Sequence, residues 1–212
     1  MVAKYIEIII VAVKPEHLAD YLKTADEGAA LAEKHGAKFV GKFITECGAD
    51  GPEILLIETW DSIADRAKLR AAAHGDSEWH SYWQKVTPYF RSIQTHLAWL
   101  LPGADLDFSG QKSVVLESFD IQGSPQEAKA MMDEWEKTWE KDMSARTTAR
   151  AFNVFSPGAG LLWQIYVGDN LDGACDAWFN WVLDKSQGES VKNLFSLMKS
   201  TTCRLLGPIP KH

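Results

Sequence analysis

Three polar residues interrupt apolar, strand-like segments of this 212-residue chain and are the first candidates for chemistry. Glu7 lies in IEIIIVAV, Glu58 in EILLIETW and His96 in SIQTHLAWLL. A carboxylate or an imidazole in such a strand needs a partner or a cavity. Two carboxylates and an imidazole that converge in an apolar interior shift one another's pKa values, which suits general acid/base catalysis. We therefore predict Glu7, Glu58 and His96 as catalytic residues.

Each of these residues also has a simpler explanation. Glu7 and Glu58 could pair with Lys42, Arg150 or another chain, because interior carboxylates are often structural. A strand histidine such as His96 is more often a core residue than a catalyst. A metal site of two glutamates and one histidine fits the ligand types, but no short ligand spacing supports it, and we predict no metal.

The elements that position these residues follow the order β-α-β-β-α-β, and this order occurs twice. The first half predicts strands at 4–13, 37–46, 53–60 and 92–101, and helices at 15–35, 62–73 and 77–89. The second half predicts strands at 113–121, 147–155, 160–167 and 201–206, and helices at 124–143, 171–183 and 189–200. The order is that of the ferredoxin-like fold, an antiparallel sheet with helices on one face.

The two halves align with an offset that changes once. Glu7 falls on Glu117 at an offset of 110 residues, whereas Glu58 falls on Ile165 and His96 on Cys203 at an offset of 107. A deletion of three residues in one turn accounts for the change. The predicted fold is therefore α+β, with tandem ferredoxin-like repeats at 1–104 and 105–212.

The predicted sheets have one face without helices, and each would bury that face against the other. Two sheets that face each other form a dimeric α/β-barrel, here within one chain, whose interior is lined by alternate strand residues. If Ile6, Ile8 and Ile10 pack against the helices, Glu7 points inward, where Glu58 and His96 could flank it.

Six further residues are predicted to bind substrate in this interior: Trp60, Tyr82, Glu117, Arg150, Trp163 and Gln164. Trp60 and Trp163 lie in strands and are candidates for a pocket wall. Arg150 and Gln164 could contact an anion or a carbonyl, although a salt bridge or a surface position explains them as well. Tyr82 belongs to an aromatic run at the spacing of one helix face, which is more often core than a ligand site.

The composition narrows the class of ligand. The formal charge of −7 and the absence of a Lys/Arg block argue against nucleic acid or an anionic membrane as the main partner. Three cysteines without a CxxC pair suggest a reducing compartment. Lys4 and Glu7 interrupt the first apolar run, which favours a strand over a signal peptide. We expect a cytoplasmic protein with a small ligand. Whether it forms a homo-oligomer stays open.

The strand ILLIETW with Arg66 after it, and then Glu78-Trp79 with further aromatic residues, resembles the NIPSNAP branch of the dimeric α/β-barrel superfamily. The resemblance covers roughly residues 4–101, and the second half shares only the repeated fold order, with Gly168 in the place of Trp60. It implies a superfamily of cofactor-independent monooxygenases, isomerases, lyases and cyclases that act on small hydrophobic or aromatic compounds. NIPSNAP-like members mostly lack a defined activity, so no catalytic set carries over.

The resulting expectation is a soluble enzyme that uses general acid/base chemistry on a small, largely apolar or aromatic molecule. The alternative is a non-catalytic protein for small-molecule binding or oligomerisation. We expect no cofactor, but the resemblance also includes haem enzymes, for which His96 or His80 would be the candidate axial ligand.

Overall fold

The structure is a computed structural model that describes residues 3–108, 113–121, 124, 126–127, 129–130, 132–133, 145–153, 161–168, 188, 192 and 198–209. Of the predicted helix at 124–143, residues 126–127, 129–130 and 132–133 are helical, and the predicted helix at 171–183 lies outside the described residues. The predicted helix at 189–200 is wrong at its end, because residues 198–200 belong to a strand.

Besides the helical residues just named, the structure describes eight strands and three α-helices over their full length. The strands are β1 (Tyr5–Val13), β2 (Phe39–Cys47), β3 (Glu53–Trp60), β4 (Phe90–Leu100), β5 (Ser113–Ile121), β6 (Ala145–Asn153), β7 (Leu161–Gly168) and β8 (Met198–Pro208). The helices are α1 (Leu18–Lys34), α2 (Ile63–His74) and α3 (Ser77–Val86), with short 3-10 turns at Pro15–His17 and Thr87–Tyr89. The bounds of β3 and β5 are as predicted, and β8 is longer at both ends.

Local sequence explains where the helices begin. The Ser62 hydroxyl accepts a hydrogen bond from the Asp65 amide at the start of α2, and the Asp76 carboxylate accepts one from the Glu78 amide at the start of α3. These side chains satisfy amide groups that have no partner within the helix. The caps therefore fix where α2 begins after β3.

The strands form one closed barrel in the order β1-β3-β2-β8-β5-β7-β6-β4. The order β4-β1-β3-β2 comes from the first half and β8-β5-β7-β6 from the second. The two sets join at the β2–β8 seam and at the β4–β6 seam, where Ala98–Leu100 pair with Ala151–Asn153. The barrel therefore closes within a single chain, and the fold is of the mixed α/β class.

Strand alternation divides the side chains between the barrel interior and the outer, helix-covered face. Ile6, Ile8 and Ile10 belong to the buried cluster that joins both halves across the interior. Val11 and Val13 instead pack on the outer face, against residues of α1 and α3. The expectation that Ile6, Ile8 and Ile10 face the helices is therefore wrong. Both faces of β1 are apolar, so its period of two could not tell them apart.

The strand registers also correct the alignment of the halves. Glu7 lies opposite Glu58 in the β1–β3 pair, and Glu117 lies opposite Gln164 in the β5–β7 pair. The position that matches Glu58 is thus Gln164 and not Ile165. By the same comparison, Tyr166 matches Trp60, because Val115 lies opposite Tyr166 as Tyr5 lies opposite Trp60.

The position in the second half that matches His96 changes in the same way. His96 lies opposite Ile8 in the β1–β4 pair, and Thr202 lies opposite Ser118 in the β5–β8 pair. The matching position is therefore Thr202 and not Cys203. The sequence alignment was one residue out after the turn, and such a slip exchanges the two faces of a strand.

Candidate active site

Glu7 lies on the outer face of the barrel, where α2 covers it completely. Its carboxylate accepts two hydrogen bonds from Arg66, both at 2.7 Å, one from Arg70 at 2.8 Å and one from the Trp60 indole at 2.9 Å. Burial raises the pKa of Glu7, but the hydrogen bonds and charges of Arg66 and Arg70 outweigh burial and hold the pKa below its usual value. Glu7 is therefore an ionised, fully bonded group that anchors α2 to the sheet.

Glu58 lies beside Glu7 on the same outer face, and only 4% of it is exposed. Burial, and then the charge of Glu7, raise the pKa of Glu58 to about 7. Its Oε2 atom has no hydrogen-bond partner among the described residues. The prediction that Glu7 and Glu58 face the interior beside His96 is therefore wrong, because His96 lies on the opposite face of the sheet.

The second half has a similar carboxylate on its outer face. The Tyr166 hydroxyl donates a hydrogen bond to Glu117, as the Trp60 indole does to Glu7. Burial and the charge of Glu117 raise the pKa of Tyr166 well above its usual value. Arg150 lies on this face as well and donates to Asp133 at 2.7 Å. The predicted interior placement of Glu117 and Arg150 is therefore wrong.

Three other predicted substrate ligands divide between the two faces. Gln164 has the same strand parity as Tyr166 and faces outward. Trp60 lines an outer groove of about 510 Å³ between α2 and the end of α1. Tyr82 belongs to α3 and packs in the outer core with Tyr21 and Val86. None of the three lines the interior. Their predicted role in substrate binding stays a prediction that their positions do not support.

His96 and Trp163 do face the interior. His96 lies opposite Ile8 on β1, and Trp163 is part of the interior cluster. The two rings are in contact, with their centroids 4.8 Å apart. Among the described residues, neither His96 Nδ1 nor Trp163 Nε1 has a hydrogen-bond partner, although both atoms are buried. Of the site residues predicted from the sequence, these two face the interior as expected. Their catalytic and binding roles stay predictions.

Asn153 completes this group, and sequence reasoning missed it. It is the last residue of β6, lies opposite Ala98 on β4 and is only 4% exposed. Its Oδ1 and Nδ2 atoms have no partner in the described part of the chain. The strands β4, β6 and β7 are consecutive in the barrel, so His96, Asn153 and Trp163 form one polar patch on its inner wall. A polar residue inside the predicted strand at 147–155 was the available signal.

An ion pair lies inside the barrel near this patch. Arg204 on β8 donates to Glu53 on β3 at 2.7 Å, and both side chains are mostly buried. Burial, and then the charge of Arg204, lower the pKa of His96. His96 is therefore a neutral imidazole at neutral pH. In the tautomer that carries its proton on Nε2, Nδ1 is a hydrogen-bond acceptor.

The exposed interior positions show where the barrel is open. Gln94 precedes His96 on the inner side of β4, and Thr202 precedes Arg204 on the inner side of β8. Both residues are exposed to solvent, whereas Ala98 and Leu206, further along these strands, are buried. The mouth of the barrel therefore lies at the beginning of β4 and β8, close to His96.

Together, the three unpartnered side chains can bind and ionise a hydroxyl group. His96 Nδ1 can accept its proton, and the Asn153 amide and Trp163 indole can donate hydrogen bonds to the oxygen that becomes negative. Leaving such buried groups unpaired costs about 1–3 kcal/mol each. A bound polar molecule would recover this energy.

Neither candidate haem ligand has a suitable surrounding. His80 is exposed on α3, and its Nε2 atom lies 2.7 Å from the His74 carbonyl oxygen. The indole of Trp163 lies against His96, in the space that a macrocycle would need. Haem therefore does not fit the described residues. In the same part of the chain, no group of three or more His, Cys, Asp or Glu residues could hold a metal ion.

The fold and the site define a mixed α/β protein whose barrel closes within one chain around a buried polar patch. Residues 6–103 match the sequence profile of the NIPSNAP family. The likeness to this family therefore lies in the first half of the chain. A search of curated proteins gave no match.

Three solved structures share the fold over almost the whole chain. A candidate monooxygenase from Fusobacterium nucleatum is 10% identical with a TM-score of 0.67, over 99% of this chain and 94% of its own. A second candidate monooxygenase, from Lactobacillus acidophilus, is 12% identical with a TM-score of 0.60, over 99% and 95%. An anthrone oxidase-like protein is 12% identical with a TM-score of 0.64, over 97% and 92%. At these identities the likeness extends to the fold alone.

No helix in the described part of the chain is long and apolar enough to cross a membrane.

Proposed function

We propose that the protein is an enzyme that binds a small, largely apolar or aromatic molecule inside the barrel and removes a proton from it with His96. The observation that carries this proposal is the inner-wall patch, in which His96, Asn153 and Trp163 each bury a polar atom that has no partner among the described residues. The interior cluster around it is apolar, as an apolar ligand requires.

The chemical step is a proton transfer. The O–H bond of the ligand breaks, its proton goes to His96 Nδ1, and the electron pair stays on the oxygen. Asn153 and Trp163 then donate hydrogen bonds to the new anion. A ligand whose acidic group is an activated C–H would react in the same way, with the negative charge on a conjugated oxygen.

This step is common to isomerases, lyases and cofactor-independent monooxygenases. Two of the structures with the same fold are named as candidate monooxygenases, and another is called anthrone oxidase-like. The last of these names supports an aromatic ligand for this chain too. We place the protein in this group of activities and in the cytoplasm.

A phenol whose anion is coloured tests the proposal directly. We would add 4-nitrophenol to the protein at a pH below the probe's own pKa and record the phenolate absorbance. Binding in the patch is expected to raise the phenolate fraction. Asn153→Ala should weaken phenolate binding about tenfold or more, the usual effect of losing a hydrogen bond to a charged group. His96→Ala should abolish the increase.

His80→Ala is the matched control, because it removes an exposed histidine outside the barrel and should leave the absorbance increase intact. If the probe binds in its neutral form in every variant, the site binds ligands without proton transfer, as in the alternative function. If the probe does not bind at all, the interior is not a site for small aromatic molecules and the proposal fails.

The proposal also includes the origin of the barrel. We assign residues 1–104 and 105–212 to two tandem ferredoxin-like repeats. The strand orders β4-β1-β3-β2 and β8-β5-β7-β6 support this assignment, as does the aromatic donor to a buried glutamate in each half. The interior patch draws on both repeats, because His96 belongs to the first, and Asn153 and Trp163 belong to the second.

A further inference from the structure

We propose that the segment of residues 101–108, which follows β4, closes the far end of the barrel and that its Phe108 sets the length of ligand that the interior can hold. This inference rests on the proposed function, because it concerns the same interior. It assigns a specificity-determining role to a residue outside the eight strands.

The backbone shows that this segment begins at one wall of the barrel. After β4 ends, the Leu101 amide donates to the Arg150 carbonyl and the Asp105 amide donates to the Thr148 carbonyl. Both acceptors belong to β6. Residues 101–105 therefore continue along β6, away from the polar patch.

Three residues later, the chain has reached the opposite wall. The ring of Phe108 makes an edge contact with Phe43 on β2, with a centroid distance of 5.7 Å. In the barrel order, β2 and β6 are separated by four strand steps in either direction. The two strands are therefore diametrically opposed, and a segment that contacts both must cross the end of the barrel.

Alternate side chains at the end of the segment point into the interior. Phe108 is buried in the interior cluster, and Ala104 and Leu106 pack against that cluster. Gly41 on β2 leaves the space for this arrangement, since a Cβ atom there would lie 2.3 Å from the Phe43 ring and 3.3 Å from the Phe108 ring. Phe43 and Phe108 together therefore form an aromatic floor.

Three alanines lie on the wall between the polar patch and this floor, beside the larger Leu100. Ala98 on β4 and Ala149 and Ala151 on β6 all face the interior and follow the patch toward the far end of the barrel. A ligand whose polar end lies at His96 would therefore extend its apolar end along these alanines. Phe108 is the residue against which that end would stop.

A series of 4-alkylphenols with chains from ethyl to nonyl tests the inference by calorimetric titration. We expect the wild type to bind short chains best, and Phe108→Ala to gain about tenfold in affinity for the longest chain, as burial of roughly two more methylene groups implies. The affinity for 4-ethylphenol should stay unchanged. Phe108→Trp should shift the preference toward shorter chains.

Phe90→Ala is the matched control, because it removes an equal ring from the outer core, where Phe90 contacts Tyr21. It should leave the order of affinities unchanged. Phe108→Leu provides a smaller truncation that is expected to fold if Phe108→Ala does not. If the probes bind and His96→Ala weakens them, but no Phe108 variant alters the length preference, the floor assignment is wrong while the proposed function stands. If no probe binds the wild type, the proposed function and the floor assignment fail together.

Discussion

At the scale of single residues, the decisive difference is between polar groups that are satisfied and polar groups that are not. Glu7 is fully buried yet accepts four hydrogen bonds, so its presence in an apolar strand needs no ligand. His96 and Asn153 also lie in strands of the barrel but have buried atoms without partners in the described chain. The sequence shows the polar residue in both cases, whereas only the structure shows the difference.

Glu58 should make the protein less stable as the pH rises. Its pKa is raised from 4.5 in the unfolded chain to about 7 in the folded one, so the folded state favours the protonated form. The stabilisation is complete below pH 4.5 and is lost as the pH rises through about 7. We expect the free energy of unfolding to fall by about 2–3 kcal/mol between about pH 5 and about pH 8.

The measurement is urea unfolding of wild type and Glu58→Gln at both pH values. The glutamine resembles the protonated carboxyl group in size and cannot ionise, so this variant should exceed the wild type in stability at the higher pH and match it at the lower one. Glu33→Gln changes an exposed glutamate on α1 and should have no such effect. Parallel pH profiles of wild type and Glu58→Gln would contradict the assignment.

At the scale of secondary-structure elements, the sequence predicts the elements well and their faces poorly. Period-two segments located the strands within a few residues, and helix caps located the starts of the helices, because these signals are local. The face of β1 could not be predicted, since Ile6, Ile8 and Ile10 on one side are as apolar as Ile9 and Val11 on the other. Arg66 and Trp60, which carry the family resemblance, both bind Glu7, and this contact required the fold.

The packing of α1 on α3 gives the prediction at this scale. A Cβ atom at Gly28 would lie 2.2 Å from the Tyr82 hydroxyl and 2.4 Å from the ring carbon that bears it. Gly28→Ala should therefore destabilise the protein by about 1–3 kcal/mol, although alanine favours the helix by about 1 kcal/mol. In a Tyr82→Leu background the clash is absent, and the same substitution should stabilise instead. Thermal unfolding of the four proteins gives this sign change, and equal effects in both backgrounds would disprove the steric cause.

At the scale of the whole molecule, two short seams turn the two sheets into one barrel. Three residue pairs join β4 to β6, and four join β2 to β8. The interior cluster takes side chains from both sheets, so opening either seam exposes apolar surface from both halves. The inner-wall patch depends on the same closure, because His96 contacts Trp163 across the β4–β6 seam. Fold stability and the site should therefore be lost together.

The β2–β8 seam depends on Gly48, and a second glycine provides the control. Gly48 has a φ of +93°, and a Cβ atom there would lie 2.0 Å from the Cys203 carbonyl oxygen of β8. Gly103 has a φ of +91° with nothing within 4 Å of a Cβ atom. Gly103→Ala should cost only the strain of the left-handed conformation, about 1–2 kcal/mol. Gly48→Ala should cost about 2 kcal/mol more, because a backbone oxygen cannot rotate away as a side chain can. Urea unfolding measures the difference, and phenol binding should weaken in Gly48→Ala alone. Equal losses of stability would mean that the seam tolerates a side chain at Gly48, and that its glycine serves only the turn.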